Sequence, residues 1–284
     1  MMIKLCAFAD EAESCLDGQI AALKRNNISY LELRSIAGKN VKDFSFNEAR
    51  EYAKVLSDND IYTWSIGSPI GKVGIDIDID AYMKDVRHVC ELARIFGTTR
   101  IRIFSFFHSY GKREIVMGYL QKMADVAKEY GVELYHENEK DIYGDTTERV
   151  QDIMSSVNGL KYIYDPANFL QCNEPAEKTI AALVDKIDYF HIKDVIVSTG
   201  ELVPAGYGDG HIDELVGKIS SDKVLTLEPH LAVFDAYASI DSSEMRHKFH
   251  FTNNNEAFDC AVKAIKDILF KVGYKEVAGG FEKA

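Results

Sequence analysis

The sequence has few of the residues that mark specialised protein classes. Among its 284 residues are only five prolines and five cysteines, and no two cysteines form a C-x-x-C pair. The odd count and wide spacing argue against a disulfide framework or a zinc knuckle and favour reduced thiols in a cytoplasmic protein. The first apolar run reaches Asp10 too early for a signal-peptide core, and no run is long enough to span a bilayer.

Positive charge is also scarce. The chain has 33 lysines and arginines against 45 acidic residues, which gives a formal net charge of -12. A field of this sign repels phosphate backbones, so general nucleic-acid binding is disfavoured. The first apolar run is followed by an acidic stretch without glycine, whereas a dinucleotide-binding sheet has a glycine-rich turn at this point.

Short apolar runs alternate with longer amphipathic runs from one end of the chain to the other. The predicted strands cover residues 3–9, 30–34, 61–66, 100–106, 132–136, 160–164, 189–192 and 224–227. The predicted helices cover residues 17–27, 46–59, 80–96, 113–130, 147–157, 175–186, 212–219 and 256–272. Eight such units of about 35 residues predict an α/β fold, a closed (β/α)8 TIM barrel forming one domain over residues 1–284, with an open doubly wound sheet as the alternative.

Four consecutive predicted strands end in residues that bind metals. Glu137, Asp165, His191 and Glu228 each follow an apolar run, and the carboxyl ends of barrel strands meet at one rim. Three carboxylates and an imidazole suit one divalent ion such as Mn2+, Mg2+, Co2+ or Zn2+. A single polar residue at such a position more often caps the next helix. Four in succession predict a metal site.

Other side chains near the strand ends are weaker candidates for binding a substrate. Lys193, two residues after the predicted histidine ligand, faces the same side and could hold a substrate oxygen or pair with a carboxylate. Glu32 lies inside an apolar run and needs a partner, for which a substrate hydroxyl or Arg34 would serve. His108 falls near a strand end, and Trp64 could form an apolar wall against a sugar ring, although most such residues are rim or core residues.

Seven short segments, taken in order and spacing, resemble a known family over nearly the whole chain. They are YLELR at 30–34, GKNV at 38–41, EN at 137–138, DPAN at 165–168, HIKD at 191–194, GYGDGHID at 206–213 and LEPH at 227–230. The chain resembles the xylose-isomerase-like TIM barrel superfamily of sugar and sugar-phosphate isomerases and epimerases. Its members include ketose 3-epimerases, hydroxypyruvate isomerase and inosose dehydratase, with endonuclease IV as a distant relative.

The resemblance implies a function for the four strand-end residues. Glu137, Asp165, His191 and Glu228 correspond to the family's metal ligands, and Glu137 and Glu228 double as its acid/base pair. One glutamate would remove the proton α to a carbonyl, the metal would stabilise the enediolate, and a glutamate would return the proton elsewhere. The expected activity is a metal-dependent isomerase or epimerase of a small sugar, ketose or sugar phosphate. Members often form homo-oligomers.

Two departures from the epimerase pattern leave the substrate open. Ketose 3-epimerases have a histidine at the position of Asn168, which is kept here as a substrate-binding candidate. They also have an arginine shortly after the metal-binding histidine, where Lys193 and Asp194 stand. A metal-dependent dehydratase of the inosose dehydratase type is therefore the main alternative, and a non-catalytic sugar-binding barrel is another.

A DNA-repair endonuclease on the same barrel is disfavoured. Such an enzyme needs a histidine-rich zinc cluster and a basic groove. The eight histidines of this chain do not fall at most of the strand ends, and the net charge has the wrong sign. A small molecule is thus the expected partner, rather than a nucleic acid or a membrane.

Overall fold

A computed structural model describes residues 1–232 and 249–283, which form a closed barrel of parallel strands. The strands are β1 (Met2–Ala7), β2 (Tyr30–Leu33), β3 (Tyr62–Ile66), β4 (Arg100–Ile103), β5 (Glu133–Glu137), β6 (Leu160–Tyr164), β7 (Tyr189–Ile192) and β8 (Lys223–Leu227). Each pairs with its sequence neighbours, and β8 returns to pair with β1, where Ile3 lies opposite Lys223. The predicted (β/α)8 barrel is confirmed.

Helices occupy the connections between the strands. They are α1 (Leu16–Arg25), α2 (Phe46–Asp58), α3 (Ile79–Ile95), α4 (Arg113–Glu129), α5 (Thr147–Ser156), α6 (Pro166–Gln171), α7 (Ala176–Leu183), α8 (Ile212–Lys218) and α9 (Asn254–Lys271). The sequence pattern missed α6, a short helix that Asp165 caps and that begins with Pro166. Among the described helices, none is both long and apolar enough to cross a membrane.

Three short antiparallel strand pairs were also not predicted. They are Ser35–Ile36 with Lys39–Asn40, Asp194–Ile196 with Glu201–Val203, and Tyr274–Val277 with Gly280–Lys283. The last strand also pairs with the start of β1, where Met2 lies opposite Glu282. Strands this short carry little sequence periodicity, so the pattern predicted loops.

The two faces of the barrel strands bury different sets of residues, because successive side chains point to opposite faces. One set joins the large core between the barrel and the helices, and includes Leu5, Leu31, Leu134, Phe190 and Leu225. The alternate positions form a smaller cluster inside the barrel, made of Cys6, Tyr135, Ile163, Tyr189 and Val224. The interior is therefore filled with side chains below the carboxyl ends of the strands.

Two strands end two or three residues earlier than predicted, and β2 ends one residue earlier, at Leu33. β1 stops at Ala7, and Ala9–Glu11 form a turn of 3-10 helix instead of its last residues. β4 stops at Ile103, and Phe106 adopts a φ of 69° that no strand permits. The early end of β1 places Asp10 and Glu11 on the carboxyl rim of the barrel, where both are buried.

An exposed glycine within α4 provides a test of how much helix propensity contributes to stability. Gly118 is exposed, and a Cβ added there would meet nothing within 4 Å. We expect Gly118→Ala to raise the free energy of unfolding by about 0.5–1 kcal/mol, because alanine loses less backbone entropy on forming a helix. Urea unfolding of the two proteins measures the difference, and a lower stability of the variant would contradict the expectation.

Candidate metal centre

The four predicted metal ligands converge at the carboxyl end of the barrel. Glu137 ends β5, Asp165 follows β6, His191 lies in β7 and Glu228 follows β8. One ligand atom from each lies within 4.8 Å of the other three. No more than 2% of the surface of any of these residues is exposed to solvent. They meet because the carboxyl ends of neighbouring parallel strands share one edge of the sheet.

The imidazole of His191 sets the spacing of the cluster. Its Nδ1 lies 2.8 Å from Oε1 of Glu137 and 3.1 Å from Oε2 of Glu228. Adjacent ligands of an octahedral ion with bonds of about 2.1 Å are about 3 Å apart. The separations therefore fit ligands that share one ion.

Three carboxylate oxygens in the cluster lack the hydrogen bonds that buried groups need. Oε2 of Glu137, Oδ2 of Asp165 and Oε2 of Glu228 are buried and have no hydrogen-bond partner among the described residues. Nη1 of Arg102 lies 3.3 Å from Oε2 of Glu137, and Nζ of Lys193 lies 3.0 Å from Oδ2 of Asp165. Both pairs are close enough for ion pairing but lack hydrogen-bond geometry. Since each residue of the cluster offers an atom to a common centre, the residues present fit a divalent cation.

The buried charges around the cluster are unbalanced. The carboxylates of this network are Asp10, Glu11, Glu32, Glu137, Asp165 and Glu228. The cations are Arg34, Arg102 and Lys193. Carboxylates outnumber cations two to one, and a divalent ion would offset most of the excess.

The imbalance affects the acidities of individual groups. Burial raises the pKa of Asp165 to about 7, with Lys193 opposing the shift and Glu137 adding to it. Burial likewise raises the pKa of Glu11 to about 8. Glu228 behaves differently: burial acts to raise its pKa, but Lys193 and the contact with His191 hold it well below its usual range. Glu228 is thus held in the ionised form.

Two arginines hold one oxygen of Glu228. Nη1 of Arg34 lies 3.0 Å from Oε1, and Nη1 of Arg102 lies 3.5 Å from it. The other nitrogens of Arg34 donate to Asp10 at 2.9 and 3.0 Å and to Glu11 at 3.2 Å. Because Oε1 is held in this way, Oε2 is the oxygen that faces His191.

An aromatic ring packs against both guanidinium groups. The ring centroid of Phe8 lies 4.4 Å from the guanidinium carbon of Arg34 and 4.9 Å from that of Arg102. The same ring meets the edge of His191 at 5.2 Å. Phe8 thereby keeps an apolar surface against one side of the cluster and fixes the planes of the two arginines.

The sequence pattern missed Asp10, Glu11 and Arg102 as members of this network. In the sequence, Asp10 and Glu11 form only the acidic stretch that follows the first apolar run. Arg102 stands two residues after Arg100 in the RIRI run of β4, so alternation alone places both side chains on one face. The alternation of the RIRI run is therefore the sequence feature that could have identified Arg102.

Glu32 is buried at the centre of the barrel rather than facing open space. Its Oε1 accepts a hydrogen bond from the hydroxyl of Tyr189 at 2.9 Å, and its Oε2 lies 3.2 Å from Nε2 of His191. The sequence left a substrate hydroxyl and Arg34 open as partners, and among the described residues Tyr189 and His191 contact the two oxygens instead.

Two of the remaining predicted residues lie beside the cluster. Nζ of Lys193 is 3.0 Å from Oδ2 of Asp165, and the lysine side chain is 6% exposed. Asn168 donates its backbone N–H to Oδ1 of Asp165 at 2.9 Å and its side-chain amide to the carbonyl of Asn138 at 2.9 Å. Asn168 therefore braces the segments that hold two ligands, and Lys193 presents a charge beside them.

The other two predicted residues lie away from the cluster. His108 is exposed on the loop after β4, where its ring lies against Gly74. Trp64 packs beneath the guanidinium of Arg100 at 3.8 Å and lines a depression with Met2 and Lys223, which begin their strands. It therefore lies at the opposite end of the barrel, and its position does not support the predicted contact with a sugar ring.

The glycine-rich loop at 204–210 is anchored rather than free. Asp194 accepts hydrogen bonds from the backbone N–H groups of Gly206, Gly208 and Gly210 at 2.8, 3.1 and 2.9 Å, and from that of Val195 at 2.9 Å. A Cβ added to Gly208 would lie only 2.4 Å from Oδ1 of Asp194. The glycines are needed so that the backbone can approach this carboxylate.

The fold and the cluster define the chain as a (β/α)8 barrel with a buried carboxylate–histidine centre at the carboxyl rim. The family profile described as "Xylose isomerase-like TIM barrel" matches residues 20–236. The chain belongs to this family. A comparison with curated proteins gives no match.

Several solved structures share the fold. An L-ribulose 3-epimerase superimposes with a TM-score of 0.73 at 17% identity, covering 95% of both chains. A protein named IOLI with a bound zinc atom gives 0.70 at 18% identity, covering 95% of this chain and 99% of the other. A probable 3-DHS dehydratase from Bacillus anthracis gives 0.71 at 15% identity, covering 94% and 99%. At these identities the likeness establishes the fold.

Proposed function

We propose that the protein is a metal-dependent isomerase or epimerase of a small sugar, ketose or sugar phosphate. The observation that carries the proposal is the convergence of Glu137, Asp165, His191 and Glu228 within 4.8 Å at the carboxyl rim. Three of these residues have buried carboxylate oxygens without hydrogen bonds, which suits a Mn2+, Mg2+, Co2+ or Zn2+ ion. Such an ion, when bound, supplies a Lewis acid that polarises a substrate carbonyl.

Two glutamates of the cluster are suited to proton transfer. Oε2 of Glu137 lies near Arg102 at 3.3 Å and has no hydrogen-bond partner among the described residues, so it can accept a proton from the carbon α to the carbonyl. The second glutamate of the cluster, Glu228, is held by Arg34 and Arg102. In this proposal one glutamate removes the proton and the other returns a proton to a different carbon or face.

Lys193 and Phe8 would complete the site. The lysine ammonium has three N–H groups and a described partner in Asp165 at 3.0 Å, so it can also hold a substrate hydroxyl or phosphate oxygen. Phe8 lies against His191 and both arginines, and its ring excludes water from that side. Both residues bind or orient and leave the proton transfer to the glutamates.

One observation favours a second candidate function, a metal-dependent dehydratase. The buried ammonium of Lys193 places a positive charge beside the cluster. After a glutamate has taken the α-proton, Lys193 could hold a departing hydroxyl while a glutamate protonates it, so that the substrate loses one water and gains a double bond. The two reactions begin with the same proton removal and differ in what leaves.

The metal content of the protein is the first test. The wild type and Glu228→Gln are dialysed against excess Mn2+, desalted and analysed by elemental mass spectrometry. We expect about one ion per chain in the wild type, as for a single four-ligand site, and little in the variant, because an amide is a poorer ligand than a carboxylate. Glu51→Gln, an exposed substitution on α2, is the matched control and should retain the ion. A well-folded wild type without metal contradicts the proposal.

The reaction type is then tested with the Mn2+-loaded protein in D2O. Ketoses, inososes and sugar phosphates are incubated with it and followed by NMR and mass spectrometry. An isomerase or epimerase incorporates deuterium from the solvent at the reacting carbon without losing water. A dehydratase releases one water per turnover. Absence of both signals from every substrate, with metal bound, favours a sugar-binding barrel and overturns the catalytic proposal.

A further inference from the structure

Glu32 is a charged residue buried in the middle of a strand. It lies in β2 with none of its surface exposed, on the strand between Leu31 and Leu33, which both pack into the main core. A carboxylate buried in this way is costly unless both oxygens have partners. Here both do, since the Tyr189 hydroxyl contacts Oε1 and the His191 imidazole contacts Oε2.

One of these contacts bears on how the imidazole can bind an ion. An ionised carboxylate only accepts hydrogen bonds, so Nε2 of His191, which lies 3.2 Å from Oε2 of Glu32, carries a proton in this contact. The other nitrogen, Nδ1, faces Glu137 at 2.8 Å and Glu228 at 3.1 Å, and an ion bound in the cluster would take the place of any proton on it. Glu32 therefore keeps a proton on the nitrogen that points away from the cluster and leaves Nδ1 to bind an ion.

The ring of His191 is also held in one orientation. Phe8 and Tyr189 pack against it at centroid distances of 5.2 Å and 5.7 Å. Tyr189 also donates its hydroxyl to Oε1 of Glu32, the oxygen that does not face His191. A ligand fixed in tautomer and plane loses little freedom when it binds an ion.

We propose that Glu32 is a positioning residue, which acts through His191 to hold the metal and does not contact the substrate. This inference rests on the proposed function, because it assumes that His191 is a ligand. Partners that orient a metal-binding histidine typically contribute about 10–100-fold to metal affinity. A glutamate within an apolar strand is explained by this role, since an apolar residue would fill the same space without the cost of burying a charge.

The test compares metal affinity in Glu32→Gln and Tyr189→Phe. The glutamine has nearly the same size, but its amide has one acceptor oxygen where the carboxylate has two. We expect Glu32→Gln to bind Co2+ about 10–100-fold more weakly than the wild type in competition with a chelator. Tyr189→Phe is the matched control, since it removes the other hydrogen bond of Glu32 and keeps the one to His191, and its affinity should stay close to that of the wild type.

A spectroscopic signal separates positioning from a general effect on folding. In the Zn2+-loaded wild type labelled with 15N-histidine, the Nε2–H proton of His191 should appear as a downfield, slowly exchanging resonance. It should move or broaden in Glu32→Gln and persist in Tyr189→Phe. Thermal unfolding of both variants shows whether each one folds.

The outcomes distinguish this inference from the proposed function. If Asp165→Asn loses the metal while Glu32→Gln retains wild-type affinity and the Nε2–H resonance, the metal centre stands and the positioning role of Glu32 is overturned. If the wild type binds no Co2+, the metal centre itself is overturned, and the role of Glu32 with it. If Glu32→Gln and Tyr189→Phe weaken binding equally, the effect is one of packing, and the inference is wrong.

Discussion

Replacing Arg34 with methionine is expected to lower the free energy of unfolding by about 3–5 kcal/mol. Arg34 is 1% exposed and pairs with Asp10, Glu11 and Glu228 at 2.9–3.2 Å. Methionine fills a similar volume without charge, so the three carboxylates would stay buried without this cation. Removing one partner of a buried ion pair costs far more than the pair itself contributes.

Arg25 provides the control for this substitution. It forms an ion pair with Asp259, but the two side chains are 42% and 39% exposed. Arg25→Met should therefore change stability by no more than about 1 kcal/mol. Both variants are compared with the wild type by urea unfolding in the presence of a chelator, because a bound ion would add to the stability of the native state. Equal stability of the two variants would refute the structural role of Arg34.

Replacing Asp194 with asparagine is expected to lower the free energy of unfolding by about 2–4 kcal/mol, the second largest effect. The carboxylate accepts four backbone N–H groups, two on each oxygen. An asparagine amide keeps one of the oxygens, so the N–H groups of two residues face an NH2 group and lose their acceptor. Each buried donor left without a partner costs about 1–3 kcal/mol, and solvent can reach part of this loop, which reduces the sum.

The same loop contains a matched control. Asp209 is exposed, and its Oδ2 accepts the N–H of Val197 at 2.8 Å. Asp209→Asn keeps an oxygen for that bond, so its stability should remain close to that of the wild type. Urea unfolding measures both variants. If Asp194→Asn is no less stable than Asp209→Asn, the loop does not depend on the Asp194 anchor.

The four predicted ligands could be recognised in the sequence because each directly follows an apolar run. The carboxyl ends of all the barrel strands lie on one rim, so Glu137, Asp165, His191 and Glu228 need no knowledge of strand register to be placed together. The partners of the cations were harder to assign. Arg34 lies in the same run as Glu32, but its partners come from the turn after β1 and from the residue after β8, and only the closed barrel brings them within reach.

Trp64 illustrates a feature that strand periodicity does not reveal. Leu31 of β2 lies opposite Thr63 of β3, but the next residue, Glu32, lies opposite Ser65. Trp64 is the extra residue of this bulge, and a bulge re-aims the side chains around it. No residue in the run YTWSI marks the irregularity, so alternation alone could not place the tryptophan at the amino end of the barrel.

His108 was placed near a strand end on the assumption that β4 continued to Phe106. The strand instead stops at Ile103, and both Phe106 and His108 take positive φ values, of 69° and 55°. Aromatic residues seldom adopt this left-handed conformation, so a sequence-based argument favours extended backbone here. In the structure the loop adopts these positive φ values instead, and His108 lies exposed at the surface.

The seam between β1 and β8 has a consequence for how the chain is made. One side of β1 has no permanent neighbour until residues 223–227 are available, because Ile3 to Ala7 pair with this late segment. A nascent chain leaving the ribosome therefore holds its first strand half-paired through most of translation. Contacts between such distant parts of a sequence form slowly, and unpaired strand edges attract other chains. The yield of native protein should consequently depend on how quickly the ribosome completes β8, the last strand of the barrel.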